Sequence, residues 1–128
     1  MKSAHYPETP ASVGRARAFV TEALSGTPEE MLDRAVLLTS ELASNAVIHA
    51  RSPFTVTATM TADEIRVDVT DTGGATPLVR RPDRTETHGR GLLIVSTLAD
   101  SWGIDTESDR TTVWFVLALE PATVPQVP

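Results

Sequence analysis

The sequence predicts an α+β fold, a two-layer α/β sandwich in which one mostly antiparallel sheet carries three helices on one face. Two observations predict it. Segments with helical periodicity and segments with strand alternation follow one another in the order helix, helix, hairpin, loop, helix, hairpin. The chain has 128 residues, 41% of them hydrophobic, which is enough to bury one core. Helices and hairpins in this order can bury their apolar sides together when the helices pack on one face of an antiparallel sheet.

Two helices are predicted in the first part of the chain. Apolar residues recur at helical spacing from Ala11 to Leu24, and Ser25-Gly26 ends this helix. A second helix is expected from Pro28 to Ala50, with Thr27 as its N-cap and Pro28 at the first helical position. Arg51-Ser52-Pro53 then stops it, because the residue before a proline disfavours helix.

A first hairpin follows the second helix. From Phe54 to Met60 apolar residues alternate with threonine, which is typical of a half-buried strand. Ala62-Asp63 is expected to make a tight turn into a second strand, Glu64 to Thr70. Residues 1–10 are compatible with one more edge strand, which the sequence does not decide.

The last part of the chain combines a loop, a short helix and a second hairpin. Residues 73–88 lack periodicity and contain two prolines and three arginines, a composition typical of a mobile loop. Gly91 to Ala99 is predicted as a short apolar helix, and strands are predicted at Ser101 to Asp105 and Thr111 to Leu119. The last strand is apolar on both faces, which predicts an interior position in the sheet.

Composition and charge exclude several classes of function. The absence of cysteine excludes disulfides, thiol catalysis and thiolate metal sites. The net charge of −6 argues against a nucleic-acid binder that depends on phosphate neutralisation. No segment approaches the ~20 apolar residues of a membrane span, so we expect a cytoplasmic protein without membrane contact. One domain is expected over residues 1–120, with a proline-rich tail at residues 121–128.

Two polar side chains interrupt the apolar side of the second helix. Glu41 and Asn45 lie one turn apart on a stripe between apolar rows, where an unpartnered carboxylate would cost several kcal/mol. A metal ion, a water or a substrate is therefore expected to meet them, and a satisfied core pair is the alternative. The apolar rows are Leu37 and Ile48 on one side and Met31, Leu38 and Leu42 on the other, and the predicted solvent face carries Asp33, Ser40 and Ser44.

A second candidate site lies at the end of the first hairpin. Strand alternation from Ile65 predicts that Asp71 points into the core, just before Gly73-Gly74. A buried carboxylate there suits an acceptor for a ligand amine, and the alternative is an Asx turn into the loop. Thr111 is in phase with Phe115, so its hydroxyl is expected to face the same interior; an ordinary strand threonine is the alternative.

A third candidate lies where the short helix begins. Gly89-Arg90-Gly91 combines glycines with the free N–H groups of a helix N-terminus, which makes a phosphate-sized anion site. Arg80, Arg81 and Arg84 add positive charge nearby. The alternatives are a simple turn and a solvated basic loop.

Taken together, these motifs resemble those of the GHKL (Bergerat-fold) ATP-binding family. Glu41-x-x-x-Asn45 is similar to its N box, Asp71-x-Gly73 to its G1 box, and Gly89-x-Gly91 to its G2 box. Thr111 is similar to the threonine of its last box. The resemblance covers about residues 10–119, and four motifs in order at compatible spacings make it specific.

One branch of that family is the most similar. The N box has the form Glu-Leu-x-x-Asn-Ala-x-x-His-Ala, and the later run is Ala99-Asp100-Ser101-Trp102-Gly103. Together with the small size of the chain, both resemble the anti-sigma-factor serine kinases, which are stand-alone bacterial regulators. The resemblance implies an ATP-dependent protein serine kinase whose cofactors are ATP and Mg²⁺.

The resemblance also implies roles for individual residues. Asn45 would hold the Mg²⁺ that bridges the phosphates, and Glu41 would be the general base toward a serine hydroxyl. Asp71 would accept the adenine amino group, assisted by Thr111 through a water. The lid, residues 75–88, would help to enclose the triphosphate. The implied ATP-binding set is Asn45, Asp71, Gly73, Gly89, Arg90, Gly91, Leu92 and Thr111.

The partners implied are a sigma factor and an anti-anti-sigma protein that carries the target serine, and the family often forms homodimers. The lid, with Arg80, Arg81 and Arg84, is the expected docking surface. The alternative function is a non-catalytic binding module that sequesters a sigma factor or another regulator, with nucleotide as a structural ligand or absent.

Some residues favour the serine kinase and others favour the binding module. The intact Glu41 favours the kinase, because a binding module has no need for that carboxylate. Ala75 and Arg110 favour the binding module, because each stands where the family has glycine, and Arg110 could crowd the adenine edge.

Overall fold

A five-stranded sheet and its covering helices make up the described part of the chain, which is residues 1–73 and 94–119 of a computed structural model. The elements are β1 (Lys2–Tyr6), α1 (Pro10–Ala23), α2 (Glu29–Asn45), a π-helical turn (Ala46–Ala50), β2 (Phe54–Met60), β3 (Glu64–Asp71), α3 (residues 94–98), β4 (Ser101–Glu107) and β5 (Arg110–Ala118). The predicted fold class, an antiparallel sheet with three helices, is confirmed.

The sheet has the strand order β1-β2-β3-β5-β4, and every neighbouring pair is antiparallel. The first residues of the chain form the edge strand that the sequence left open, because β1 pairs with β2 from Lys2 to Tyr6. The interior position predicted for the last strand is confirmed, since β5 lies between β3 and β4. The sheet therefore brings the ends of β3 and β5 side by side.

The core lies between the helices and one face of this sheet. Alternate residues of β3 and β5 point into it and pair across the strands, with Ile65 opposite Leu117 and Val67 opposite Phe115. The buried helix residues include Ala16, Val20, Ala35, Leu38, Leu42 and Val95. The other face of the sheet is mostly polar apart from Trp114 and Val116 of β5. Threonine hydroxyls bond there across the strands, as Thr70 does to Thr112 at 2.8 Å.

The predicted cap of the second helix is wrong. Pro28, not Thr27, occupies the N-cap position of α2, and no side chain caps the helix. Thr27 is buried, and its hydroxyl instead donates to the sulfur of Met60 at 3.2 Å. Because that contact connects the helix start to the end of β2, tertiary packing takes the hydroxyl that local capping would have used.

The predicted faces of α2 also need correction. Leu37 and Ile48 were expected to belong to the apolar side, but they are 43% and 59% exposed. Ser40 and Ser44, expected on the solvent face, are half-buried, and Ser40 accepts a hydrogen bond from Arg17 of α1 at 3.2 Å. The serines are half-buried because α1 packs along this side of α2, where Ser44 borders Val13 and Arg17 of α1. Ile48 borders the same α1 residues and lies at the edge of that contact.

Several predicted segments lie outside the described residues. They are the loop after Gly73 with its lid, the Gly89-Arg90-Gly91 motif with Leu92, and the tail at residues 121–128. Among the helices that are described, none has the length and apolar character needed to cross a membrane.

Candidate functional site

Asp71 and Thr111 form a polar pair on the interior face at one end of the sheet. They are register partners at the end of the β3–β5 ladder, directly beyond the apolar pair Val69 and Val113. Thr111 is 3% exposed, and Asp71 is half-buried. The inward orientation predicted for both residues is confirmed, because strand alternation continues without a bulge to the last ladder position.

The Asp71 carboxylate also begins the turn after β3. Its Oδ1 accepts a hydrogen bond from the Gly73 N–H at 3.0 Å, which is the geometry of an Asx turn. The two interpretations of Asp71 are therefore compatible, since one oxygen shapes the turn while the residue still faces inward. Within the described residues, the second oxygen has no hydrogen-bond partner, so it remains an available acceptor.

Burial sets the electrostatics of this carboxylate. Desolvation raises the pKa of Asp71 above its ordinary value, and the hydrogen bond from Gly73 opposes part of that increase. No cation of the described residues lies beside it. A carboxylate that has lost some of its hydration in this way is well suited to accept a hydrogen bond from a ligand amine. The chemistry therefore agrees with the acceptor predicted from the sequence.

Glu41 and Asn45 lie at the C-terminal end of α2. Both are half-buried, which corrects the expectation of a buried stripe, because they lie beside the exposed side chains of Leu37 and Ile48 on the helix. In the described part of the chain neither side chain makes a hydrogen bond, so a satisfied core pair is not what the structure shows there. Among the described residues, nothing competes with a ligand for either polar group.

The helix changes its geometry just after Asn45. The α-helix ends at that residue, and the five residues Ala46–Ala50 form a π-helical turn. Arg51 closes it in the left-handed conformation, with φ 54° and ψ 45°. The prediction of one helix to Ala50 is thus corrected at its end, and π-helical turns are frequent at functional sites.

The π-helical turn meets the segment that follows β3. A Cβ atom added to Gly73 would lie 2.5 Å from the carbonyl oxygen of Ala50 and 3.0 Å from its Cβ, so only glycine fits this contact. Beside it, the Ser52 hydroxyl accepts a hydrogen bond from the Thr72 N–H at 3.2 Å. The structure thereby joins the end of α2, with Glu41 and Asn45 in its last turns, to the end of β3 with Asp71.

Replacing Gly73 by alanine should therefore destabilise the protein. The added methyl group must displace backbone atoms of Ala50, and overpacking of this kind costs about 1–3 kcal/mol of the free energy of unfolding. Urea denaturation measures the change. Gly14→Ala is the matched control, because its Cβ would meet only the end of the Arg17 side chain at 3.5 Å within a helix that favours alanine. Equal stability of Gly73→Ala and the wild type would contradict the tight contact.

Arg110 does not crowd the site, contrary to the expectation from its place in the last box. Its side chain is exposed and pairs with Glu107 at 3.5 Å and with Asp109 at 3.6 Å. Because Thr111 points inward, strand alternation places the preceding residue on the polar face of the sheet. The argument that Arg110 weakens a ligand at Thr111 is therefore wrong for its side chain.

Sequence reasoning missed Ser52 and Ala50. The sequence interpretation treated residues 51–53 only as a helix stop, whereas Ser52 is 5% exposed and both of these residues contact the segment after β3. A small polar residue before Pro53 was the available signal. The predicted residues Gly89, Arg90, Gly91 and Leu92 lie outside the described residues, so their part in the site stays a prediction.

Comparison with solved structures shows the same fold. The structure of the RsbU and RsbW domains of Rv1364c from Mycobacterium tuberculosis matches with a TM-score of 0.70 at 20% identity, covering 94% of this chain and 34% of that one. A histidine kinase domain from the blue-light activated histidine kinase of Erythrobacter litoralis matches with a TM-score of 0.58 at 20% identity, covering 88% and 61%. This chain thus spans about a third of the first structure and about three fifths of the second.

The comparison with family models is more specific. No curated protein matches the chain. The model of the histidine kinase-like ATPase domain matches residues 6–117, which include every described residue of the site. That match confirms the family that the four motifs resemble. The chain therefore belongs to the histidine kinase-like ATPase domain family.

Proposed function

We propose that this protein is an anti-sigma-factor-type regulator that binds ATP with Mg²⁺ and phosphorylates a serine of an anti-anti-sigma partner. The observation that carries the proposal is the inward-facing pair of Asp71 and Thr111, joined through Gly73 to the end of α2 that bears Glu41 and Asn45. Family membership supports ATP as the ligand. The acceptor Asp71 ends β3, the hydroxyl of Thr111 begins β5, and the carboxylate and the amide both lie near the end of α2.

Each described residue has a role that its surroundings support. The free oxygen of Asp71 accepts the adenine amino group, and the buried hydroxyl of Thr111 assists it through a water. Glu41 takes the proton of the attacking serine hydroxyl. Phosphoryl transfer depends on positioning and on charge stabilisation rather than on covalent chemistry by the protein. A carboxylate one helical turn from a magnesium ligand is well placed for that reaction.

Asn45 fits the requirement for a magnesium ion. Mg²⁺ commonly binds through one or two protein oxygens and takes its other ligands from waters and from substrate phosphates. Residues 1–73 and 94–119 contain no group of three or more histidine, aspartate or glutamate side chains that could hold a metal. The family resemblance assigns this ligand to the amide oxygen of Asn45, and the ion would neutralise the charge of the phosphates.

The alternative function, a binding module that sequesters a sigma factor or another regulator, loses one of its two supports. Arg110 lies on the polar face of the sheet, away from Thr111, so it does not argue against nucleotide binding. Ala75, the other departure, lies outside the described residues. The kinase is therefore the proposed function, and the measurement of phosphate transfer described below distinguishes it from the binding module.

The partners we propose are a sigma factor and an anti-anti-sigma protein, with a homodimer of the chain itself as a further assembly. The likeness to the structure that holds RsbU and RsbW domains supports a partner-switching system. We propose that residues 1–120 form one domain and that the protein is located in the cytoplasm. Docking through the lid stays a prediction from the sequence.

Titration of ATP with and without Mg²⁺, followed by calorimetry, tests nucleotide binding. The wild-type protein should bind ATP more tightly when Mg²⁺ is present. Asn45→Ala should reduce this magnesium-dependent gain by about tenfold, or about 1.4 kcal/mol. Ser44→Ala is the matched control, because Ser44 is a half-buried residue of the same turn that lies toward α1.

The outcomes separate the two functions. Absence of ATP binding under both conditions would contradict the nucleotide site. Binding of ATP without phosphate transfer to a serine of any captured anti-anti-sigma protein would instead favour the binding module.

A further inference from the structure

We propose that Ser52 is a positioning residue, whose hydroxyl fixes the spacing between the magnesium end and the adenine end of the nucleotide site. This inference rests on the proposed function, because it concerns how the two ends of the same site are held apart. Ser52 contacts neither end directly. It connects the backbone segments that carry them.

The hydroxyl of Ser52 is fully engaged in hydrogen bonds to the backbone. The residue is 5% exposed, and its Oγ accepts the Thr72 N–H at 3.2 Å and donates to the Pro53 carbonyl at 3.1 Å. The first of these bonds spans 20 residues of sequence. A buried serine with both functions satisfied by the backbone holds two segments in one relative position.

On one side, Ser52 is joined to the end of α2. Its own N–H bonds to the carbonyl of Ala46 at 3.4 Å, which closes the π-helical turn directly after Asn45. Arg51, in the left-handed conformation, turns the chain so that Ser52 leaves the helix toward β3. The position of Ser52 is therefore coupled to that of the predicted magnesium ligand through one short turn.

On the other side, Ser52 is joined to the end of β3. Thr72, whose N–H it accepts, directly follows Asp71, and the next residue, Gly73, donates its N–H to the Asp71 carboxylate at 3.0 Å. Gly73 is pressed against Ala50 of the π-helical turn. The Ser52 hydrogen bond and the Gly73 contact thus both hold the turn after Asp71 against the end of the π-helical turn.

Spacing matters because one ligand must engage both ends at once. A nucleotide has a limited separation between its adenine and its phosphates, so a site with variable spacing must be ordered when the ligand binds, and this ordering lowers affinity. In Ser52→Ala the acceptor is lost. Thr72 is exposed, so its N–H can turn to water. Among the described residues, the two segments then keep the Gly73 contact and the ladder pairing of Phe54 with Asp71, but lose the hydrogen bond that fixes the turn itself.

The first test measures ATP affinity by calorimetry in variants of the full chain. Ser52→Ala should weaken ATP binding about tenfold, the size expected for a lost hydrogen bond of about 1.4 kcal/mol. Thr70→Ala is the control, because it removes a hydroxyl near the end of β3 that makes a hydrogen bond on the polar face of the sheet, away from the site. It should leave the affinity within twofold of the wild type.

A double variant distinguishes positioning from a general loss of structure. Asp71→Asn removes the adenine acceptor, so the distance between the adenine end and the magnesium end of the site no longer matters for that contact. Adding Ser52→Ala to Asp71→Asn should therefore weaken ATP binding by less than twofold. A purely structural role of Ser52 would give the same tenfold loss in both backgrounds and would overturn the proposal.

A second measurement does not depend on nucleotide. Amide hydrogen exchange at Thr72 in the unliganded protein should be about tenfold faster in Ser52→Ala and unchanged in Thr70→Ala. Unchanged exchange, or unchanged ATP affinity of Ser52→Ala beside a wild type that binds, would overturn the positioning role alone. A wild type that binds no ATP would overturn the proposed function, and this inference with it.

Discussion

Replacing Glu41 by alanine should lower the rate of phosphate transfer to a partner serine by about 10²–10⁴-fold while ATP affinity stays within a few-fold. The reason lies in the position of the residue. Glu41 is half-buried one helical turn before Asn45, and among the described residues it makes no hydrogen bond or ion pair that would occupy its carboxylate. Its loss removes a proton acceptor for the serine hydroxyl and leaves the proposed adenine and magnesium contacts in place.

The measurement is single-turnover transfer of labelled phosphate to an anti-anti-sigma protein recovered as a partner. Glu41→Gln should show a similar loss, because it keeps the size of the side chain and removes its basicity. Glu30→Ala is the matched control on the same helix, since Glu30 is 83% exposed and has only a weak pair with Arg34 at 3.7 Å. Transfer at the wild-type rate in Glu41→Ala would show that the carboxylate is structural, and the kinase would lose its main support.

Replacing Asp71 by asparagine should weaken ATP binding by about 1–3 kcal/mol, which is about 5–150-fold in the dissociation constant. Asparagine keeps an oxygen that accepts the Gly73 N–H, so the turn after β3 is preserved. The amide NH₂ then takes the place of the free oxygen and faces the adenine amino group, donor against donor. Calorimetric titration of ATP measures the loss.

Although Asp71→Asn should weaken ATP binding, it should not lower the stability of the unliganded protein at neutral pH. Burial raises the pKa of Asp71 in the folded state above its value in the unfolded chain. The Asp71 carboxyl group therefore binds its proton more tightly in the folded state than in the unfolded state. The contribution of Asp71 to stability is therefore greatest below its unfolded pKa and is lost as the pH rises through the raised folded pKa. At neutral pH the charged carboxylate is a cost, and Asp71→Asn removes it.

We therefore expect Asp71→Asn to be at least as stable as the wild type in urea at pH 7, although it binds ATP less well. Asp105→Asn is the control, because Asp105 is exposed on the polar face of the sheet and should leave ATP affinity unchanged. ATP affinity of the wild type should also fall as the pH is lowered through the raised pKa of Asp71, and that dependence should vanish in Asp71→Asn. Unchanged ATP affinity in Asp71→Asn would remove adenine recognition from the role of this residue.

The sequence by itself determined which residues share a face. The alternation from Ile65 to Asp71 and from Thr111 to Leu117 placed both polar residues on the interior side, and the structure confirms it. The same alternation places Arg110 on the outward face, where its side chain is exposed. Periodicity is a local property of the chain, and it survives folding because neighbouring residues fix it.

Only the tertiary structure decided which faces are covered and which backbone groups meet. Leu37 and Ile48 are apolar yet exposed, whereas Ser40 is bonded to Arg17 of α1. Thr27 contacts Met60 instead of capping α2. The bond from Thr72 to Ser52 joins residues 20 positions apart. No local pattern encodes such a contact, because it exists only when the π-helical turn after Asn45 and the end of β3 are brought together by the packing of the whole sheet.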